Sequence, residues 1–151
     1  MTRITTPTNS YTRYYPKIVE LAMKQFDEQF WTSNEMKVHL DKMQLLYELT
    51  PQQLHAVKTV LSLFVHYELK VGDFWQIVAK TFPRPEVKLA SSIIDATERA
   101  IHAEFYNQVN IQLGLDTDEH YLSYTQDPIL NARAEWLDDL LRGEDRILGI
   151  I

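Results

Sequence analysis

One interruption governs what this chain can fold into. Phe82-Pro83-Arg84-Pro85 separates two stretches that otherwise keep helical periodicity for about 28–30 residues each. Helices of that length span ~42–45 Å, whereas globular helices average ~11–12 residues. Each proline disfavours helix in the residue before it, so both rods must stop here. The first starts at Thr50-Pro51-Gln52-Gln53. Thr50 caps, Pro51 fills the first helical position, and Gln53 can reach back to the cap. It meets no glycine or proline until Gly72 and continues to about Lys80. The second runs from near Glu86 to Leu113, closed by Gly114, a residue type that tolerates left-handed geometry. Two rods joined by a tight turn form an antiparallel hairpin, half of a four-helix bundle. No sustained period-two alternation and no Asn-Gly or Asp-Gly turn suggests strand, so the predicted class is all-α.

The rest of the chain is organised around that hairpin. Residues 1–15, rich in Thr, Pro and Tyr, read as an extended arm, and 16–151 as a single helical domain. Pro16 to Gln29 sets Val19, Ala22, Met23 and Phe26 at helical spacing. Phe30-Trp31 precedes Thr32-Ser33-Asn34-Glu35, a capping box that predicts a short helix ending near Tyr47. Asp116 to Thr125 reads as a polar connection, and Asp127-Pro128 starts a last helix to Leu141. The charge run Arg142 to Arg146 reads as a solvated turn. Ile147-Leu148-Gly149-Ile150-Ile151 is apolar and stops abruptly. That end predicts a fold continuing past this chain, so residues 16–151 read as the N-terminal part of a larger domain.

Composition removes most other chemistries. Apolar residues make up 45% and charged residues 24%, a globular balance. There is no cysteine, which excludes disulfides, thiolate nucleophiles, zinc fingers and iron–sulfur sites together. With 15 Lys+Arg against 21 Asp+Glu the net charge is −6, which argues against a nucleic-acid partner. No apolar run reaches the ~18 residues of a membrane span, and Met1 to Ser10 has no signal-peptide core. A soluble, cytoplasmic protein with no membrane partner is expected. The four glycines cannot build a Gly-x-Gly-x-x-Gly or phosphate loop, and no His-Glu-x-x-His is present.

What remains lies inside the rods. The apolar run Leu61-Ser62-Leu63-Phe64-Val65-His66-Tyr67 ends at Glu68, and the second rod carries Glu98 and His102, four apart on one face. The sequence midpoint of Glu68 and Glu98 is Pro83, and that of Glu68 and His102 is Pro85. In an antiparallel hairpin, residues equidistant from the turn share one height, here ~22 Å from it at ~1.5 Å per residue. Two carboxylates and an imidazole at one level are half of a carboxylate-bridged di-metal site, with donors suited to iron or manganese. The bland reading is a solvated Glu and His paired with neighbouring cations. His39, His55 and His120 sit among polar neighbours and read as surface residues, and His66 as core or interface.

Three segments taken in order resemble a known family. They are Tyr67-Glu68-Leu69-Lys70-Val71-Gly72-Asp73-Phe74-Trp75, then Phe82-Pro83-Arg84-Pro85-Glu86, then Glu98-Arg99-Ala100-Ile101-His102-Ala103-Glu104-Phe105-Tyr106-Asn107. They resemble the small, radical-generating subunit of class I ribonucleotide reductase, of the ferritin-like superfamily, and Phe30-Trp31 is similar to that family's N-terminal region. The resemblance implies a ferritin-like bundle with a di-iron or iron/manganese centre. Glu68 would be the first-helix ligand, Glu98 and His102 the ligands of the second helix, Tyr106 the radical-bearing tyrosine, and Trp31 the electron relay. It also implies a homodimer partnered by the large subunit in deoxyribonucleotide synthesis.

Two features depart from the family pattern. The family shows Glu-x-x-His, but Arg99 stands three before His102 and the acid is one position earlier. A one-residue helical bulge, a longer native spacing or an altered metal site would each account for this. The last helix offers Glu135, Asp138 and Asp139 but no histidine, so half the expected ligands are absent and the chain alone is expected to be inactive. A half bundle exposes an apolar face. Two copies could then pair and supply the full set from Glu68, Glu98 and His102 twice, as in half-size ferritin-like proteins that oxidise or store iron. A third reading is a metal-free helical interaction module with Glu68 paired to Arg99.

Overall fold

Helix boundaries fall where capping chemistry puts them. The computed structural model describes residues 3–28 and 30–143, and over those residues it is all-α. Helix α1 (Pro16–Glu28) buries Val19 and Ala22 and packs against the second rod. The next segment differs from expectation. Glu35 Oε1 accepts the N–H of Thr32 at 2.8 Å, as the capping box requires, yet only 3-10 turns follow, at Ser33–Glu35 and Val38–Asp41. Regular helix is confined to α2 (Lys42–Tyr47). Val38 and Leu45 pack on the core while Met36, Leu40, Met43 and Leu46 stay exposed. Without a continuous buried stripe, local propensity alone does not sustain a helix.

The hairpin forms as its caps dictate. Helix α3 (Pro51–Thr81) opens with Gln53 Oε1 accepting the N–H of Thr50 at 2.9 Å. The second rod is α4 (Pro85–Thr97), a π-helical turn at Glu98–Ala103, and α5 (Glu104–Leu113), ended by Gly114 at φ 78°. Helix α6 (Asp118–Tyr121) and a 3-10 turn at Ser123–Gln126 occupy the polar connection. Helix α7 (Pro128–Arg142) begins with Asp127 Oδ1 accepting from the N–H of Ile129 at 2.8 Å and packs against α3. The apolar run at 147–151 and residues 144–146 of the charge run lie outside the described residues. One core gathers Leu45, Val109, Leu113 and Leu115 near the open end of the hairpin. Another joins α3 to α7 through Leu63, Tyr124 and Ala134.

His120 corrects a sequence expectation. It is buried, with Nε2 2.9 Å from Oδ1 of the fully buried Asn110, and burial lowers its pKa. Its neighbours Asp118 and Glu119 are exposed. The Thr117 cap, which accepts the His120 N–H at 3.2 Å, sets a single turn whose inner face receives the ring. Local polarity does not reveal which face that is.

At the bend, Arg84 and Glu86 are both fully buried. Glu86 Oε1 accepts the N–H groups of Tyr14 at 3.0 Å and Tyr15 at 3.2 Å and lies 3.5 Å from Arg84 Nε. Arg84 Nη2 donates to the Thr12 carbonyl at 3.0 Å, and its guanidinium sits 4.7 Å over the Tyr14 ring. The arm is thus fastened to the closed end of the hairpin. Burial pushes the Glu86 carboxyl up, but the N–H donors and Arg84 outweigh it and hold the pKa below the usual range. Removing one partner of such a pair leaves the other buried and uncompensated. Glu86→Gln is therefore expected to cost about 3 kcal/mol, read as a lower urea midpoint. An unchanged midpoint would show that the pair contributes nothing.

Candidate metal centre

The two rods bring Glu68, Glu98 and His102 together. His102 Nδ1 lies 2.7 Å from Glu98 Oε2 and 3.7 Å from Glu68 Oε2, and one donor atom from each residue falls within 4.8 Å of the others. The common height predicted from the proline-bounded turn is thus observed. Among the described residues no other group of three His, Asp or Glu side chains converges in this way. The helical bulge is also present: Glu98–Ala103 is π-helical, which inserts one residue into the rod.

The electrostatics of the cluster are unresolved by its own members. Burial raises the Glu68 pKa to about 7; a hydrogen bond with Glu98 and that residue's charge add to the shift, and His102 opposes it. Two carboxylates and a ring nitrogen within bonding range of a common point are the donor chemistry of a divalent cation, which would relieve this repulsion.

Aromatic groups flank the cluster. The Trp31 ring stacks on His102 with centroids 5.9 Å apart and planes at 21°, and meets Phe105 edge-on at 5.1 Å. The Tyr106 ring lies 4.9 Å from Phe64. Its pKa is raised by burial first and then by the charge of Glu68.

Other residues fall elsewhere. Arg99 does not pair with Glu68, contrary to the metal-free reading: Nη2 donates to Asp73 Oδ1 at 2.6 Å and Nε to Asp95 Oδ1 at 2.7 Å. Asp73 lies more than a turn beyond Glu68 along α3. His66 packs on Tyr124 with Nδ1 3.4 Å from its hydroxyl, while Asp138 pairs with Lys70 at 2.8 Å. Glu135 and Asp139 are exposed, as are His39 and His55. Sequence reasoning missed the Arg99 network; its one signal was Gly72, a glycine inside a long helix.

The family model for the small chain of ribonucleotide reductase matches residues 8–148. The chain belongs to the ribonucleotide reductase small-chain family. No curated protein matches it. Its all-α architecture is the ferritin-like fold of this small chain, and the family serves ribonucleotide reduction. The small-chain family implies a di-iron cofactor, and the donor set of Glu68, Glu98 and His102 fits one side of such a centre.

The charge of Glu68 has a consequence for the metal-free chain. Its pKa rises from 4.5 to about 7 on folding, so the native state binds the proton more tightly in between. Stability then falls as pH rises through that window and levels off above it. Urea midpoints measured in chelator at about pH 5 and about pH 8 should drop for the wild type and converge for Glu68→Gln. An equal drop in both would place the titration elsewhere.

Proposed function

We propose that this chain supplies half of the dinuclear metal centre of a class I ribonucleotide reductase small subunit. The observation that carries the reading is the convergence of Glu68, Glu98 and His102 on an open apolar face of the hairpin. Val60, Phe64 and Val71 are exposed on α3 at helical spacing with Glu68. A further helix pair bearing the complementary acids and histidine would cover that stripe and complete the ligands. The pair would come from further along the polypeptide or from another chain, and the half centre alone is inactive in this reading.

Glu68, Glu98 and His102 would hold iron, or iron and manganese. When bound, the metal supplies oxidising equivalents drawn from dioxygen. Tyr106 is assigned as the residue oxidised by one electron, its hydroxyl losing a proton within the field of the Glu68 carboxylate. Trp31, stacked on His102, offers an aromatic path to the metal ligand. Phe64 and Phe105 pack against the Tyr106 ring. The large subunit, where ribonucleotides are reduced, is the expected partner, and the setting is cytoplasmic.

A second reading rests on the same exposed stripe. Two copies of the chain would close face to face and provide four carboxylates and two imidazoles, a half-size ferritin-like centre for iron oxidation. Mass measurement with and without metal separates the two: a metal-dependent dimer of this chain alone favours the second.

Binding of cobalt(II) tests the site directly. Glu68→Ala, Glu98→Ala and His102→Ala should each weaken it by at least about tenfold. Binding unaffected by all three would remove the metal centre from this face. After iron(II) and air, Tyr106→Phe should bind metal as the wild type does but lose the paramagnetic signal of an oxidised tyrosine in the completed complex.

A further inference from the structure

The π turn that carries Glu98 and His102 needs an external hold. π-Helix is rare and occurs mostly as single turns inside α-helices. Arg99 is the second residue of the turn, and its guanidinium reaches out of it in two directions. Nη2 donates to Asp73 on α3, and Nε donates to Asp95 in the α-helical turn just before the π segment. The second oxygen of Asp95 accepts from Gln76 Nε2 at 3.1 Å, again on α3. The fork therefore ties the π turn to the facing rod and to the helix behind it.

Gly72 makes room for this fork. It is buried in the middle of α3, where glycine is intrinsically unfavourable. A Cβ at that position would lie 2.8 Å from Arg99 Nε and 2.8 Å from Asp95 Oδ1. No left-handed backbone demands the glycine, since its φ is not positive. Space for the Arg99–Asp95 pair is the remaining reason.

We propose that Arg99, seated on Gly72 and held by Asp73 and Asp95, is a positioning residue that fixes the π turn and so sets Glu98 against His102 for a divalent metal ion. The proposal rests on the metal-centre reading above. Stability is a poor alternative explanation. The Arg99 and Asp73 side chains are 34% and 45% exposed, and ion pairs this open contribute little. Register is a different matter: one residue more or less turns a helical side chain by about 100°. That decides whether Glu98 faces Glu68 or looks away.

Gly72→Ala is the sharpest test. Alanine favours the helix, and its methyl collides only with the ends of two flexible side chains. The melting temperature should therefore hold or rise. Cobalt(II) affinity should nevertheless fall by about tenfold, its visible absorption should shift, and amide exchange at residues 99–104 should quicken. Arg99→Lys keeps the charge but cannot fork, and should behave likewise. Asp73→Asn, at the most exposed partner, covers the case in which the others fail to fold, with a loss of about threefold expected. Wild-type cobalt affinity and exchange in every folded variant would overturn the clamp. If the wild type itself binds no cobalt(II), the metal reading fails, and the exchange rates alone decide whether Arg99 holds the turn.

Discussion

Everything in this structure depends on the bend between α3 and α4. A proline-bounded turn fixes the relative height of two long rods, and height is what brings residue 68 beside 98 and 102, which lie 30 and 34 positions further along. The bend is itself secured by charge. Arg84 and Glu86 are fully buried there, and one oxygen of the carboxylate accepts two backbone N–H groups from the arm. A buried pair is weak evidence for stability, but removing one member strands the other, so the pair favours a single arrangement.

The two acidic sites of the hairpin make an instructive contrast. Glu86 is deeply buried yet holds its charge, because two N–H groups and a guanidinium surround it. Glu68 is less buried yet holds its proton more tightly than usual, because burial removes its charge from water without donors to replace it and the neighbouring Glu98 adds to the shift. Satisfaction by donors, more than depth, separates a structural carboxylate from a reactive one.

Much of this was legible in the sequence, and for physical reasons. Thr50, Pro51 and Gly114 carry local instructions that the backbone obeys wherever they occur, so the rods could be placed closely. The shared height of Glu68, Glu98 and His102 followed from counting to a turn that proline makes unavoidable. The position of Glu98, one residue early against Arg99, left a bulge, a longer spacing or an altered site open, and a π turn stands there. What failed depended on long-range packing. The helix expected after Thr32 broke into short turns because its apolar residues found no continuous surface. His120 went inward although its neighbours did not. The arm's grip on Arg84 and the path of Arg99 to Asp73 involve partners that no local pattern links.

The arm also constrains the order in which the molecule can assemble. Its hydrogen bonds to Glu86 join positions 71 and 72 residues apart. The hairpin, by contrast, grows outward from its own turn through progressively longer contacts, each closing little additional chain. The arm residues Thr12, Tyr14 and Tyr15 have nowhere to dock until the bend has formed. Arg84 and Glu86 must then stay hydrated until the arm returns, so this segment is among the last to find its place.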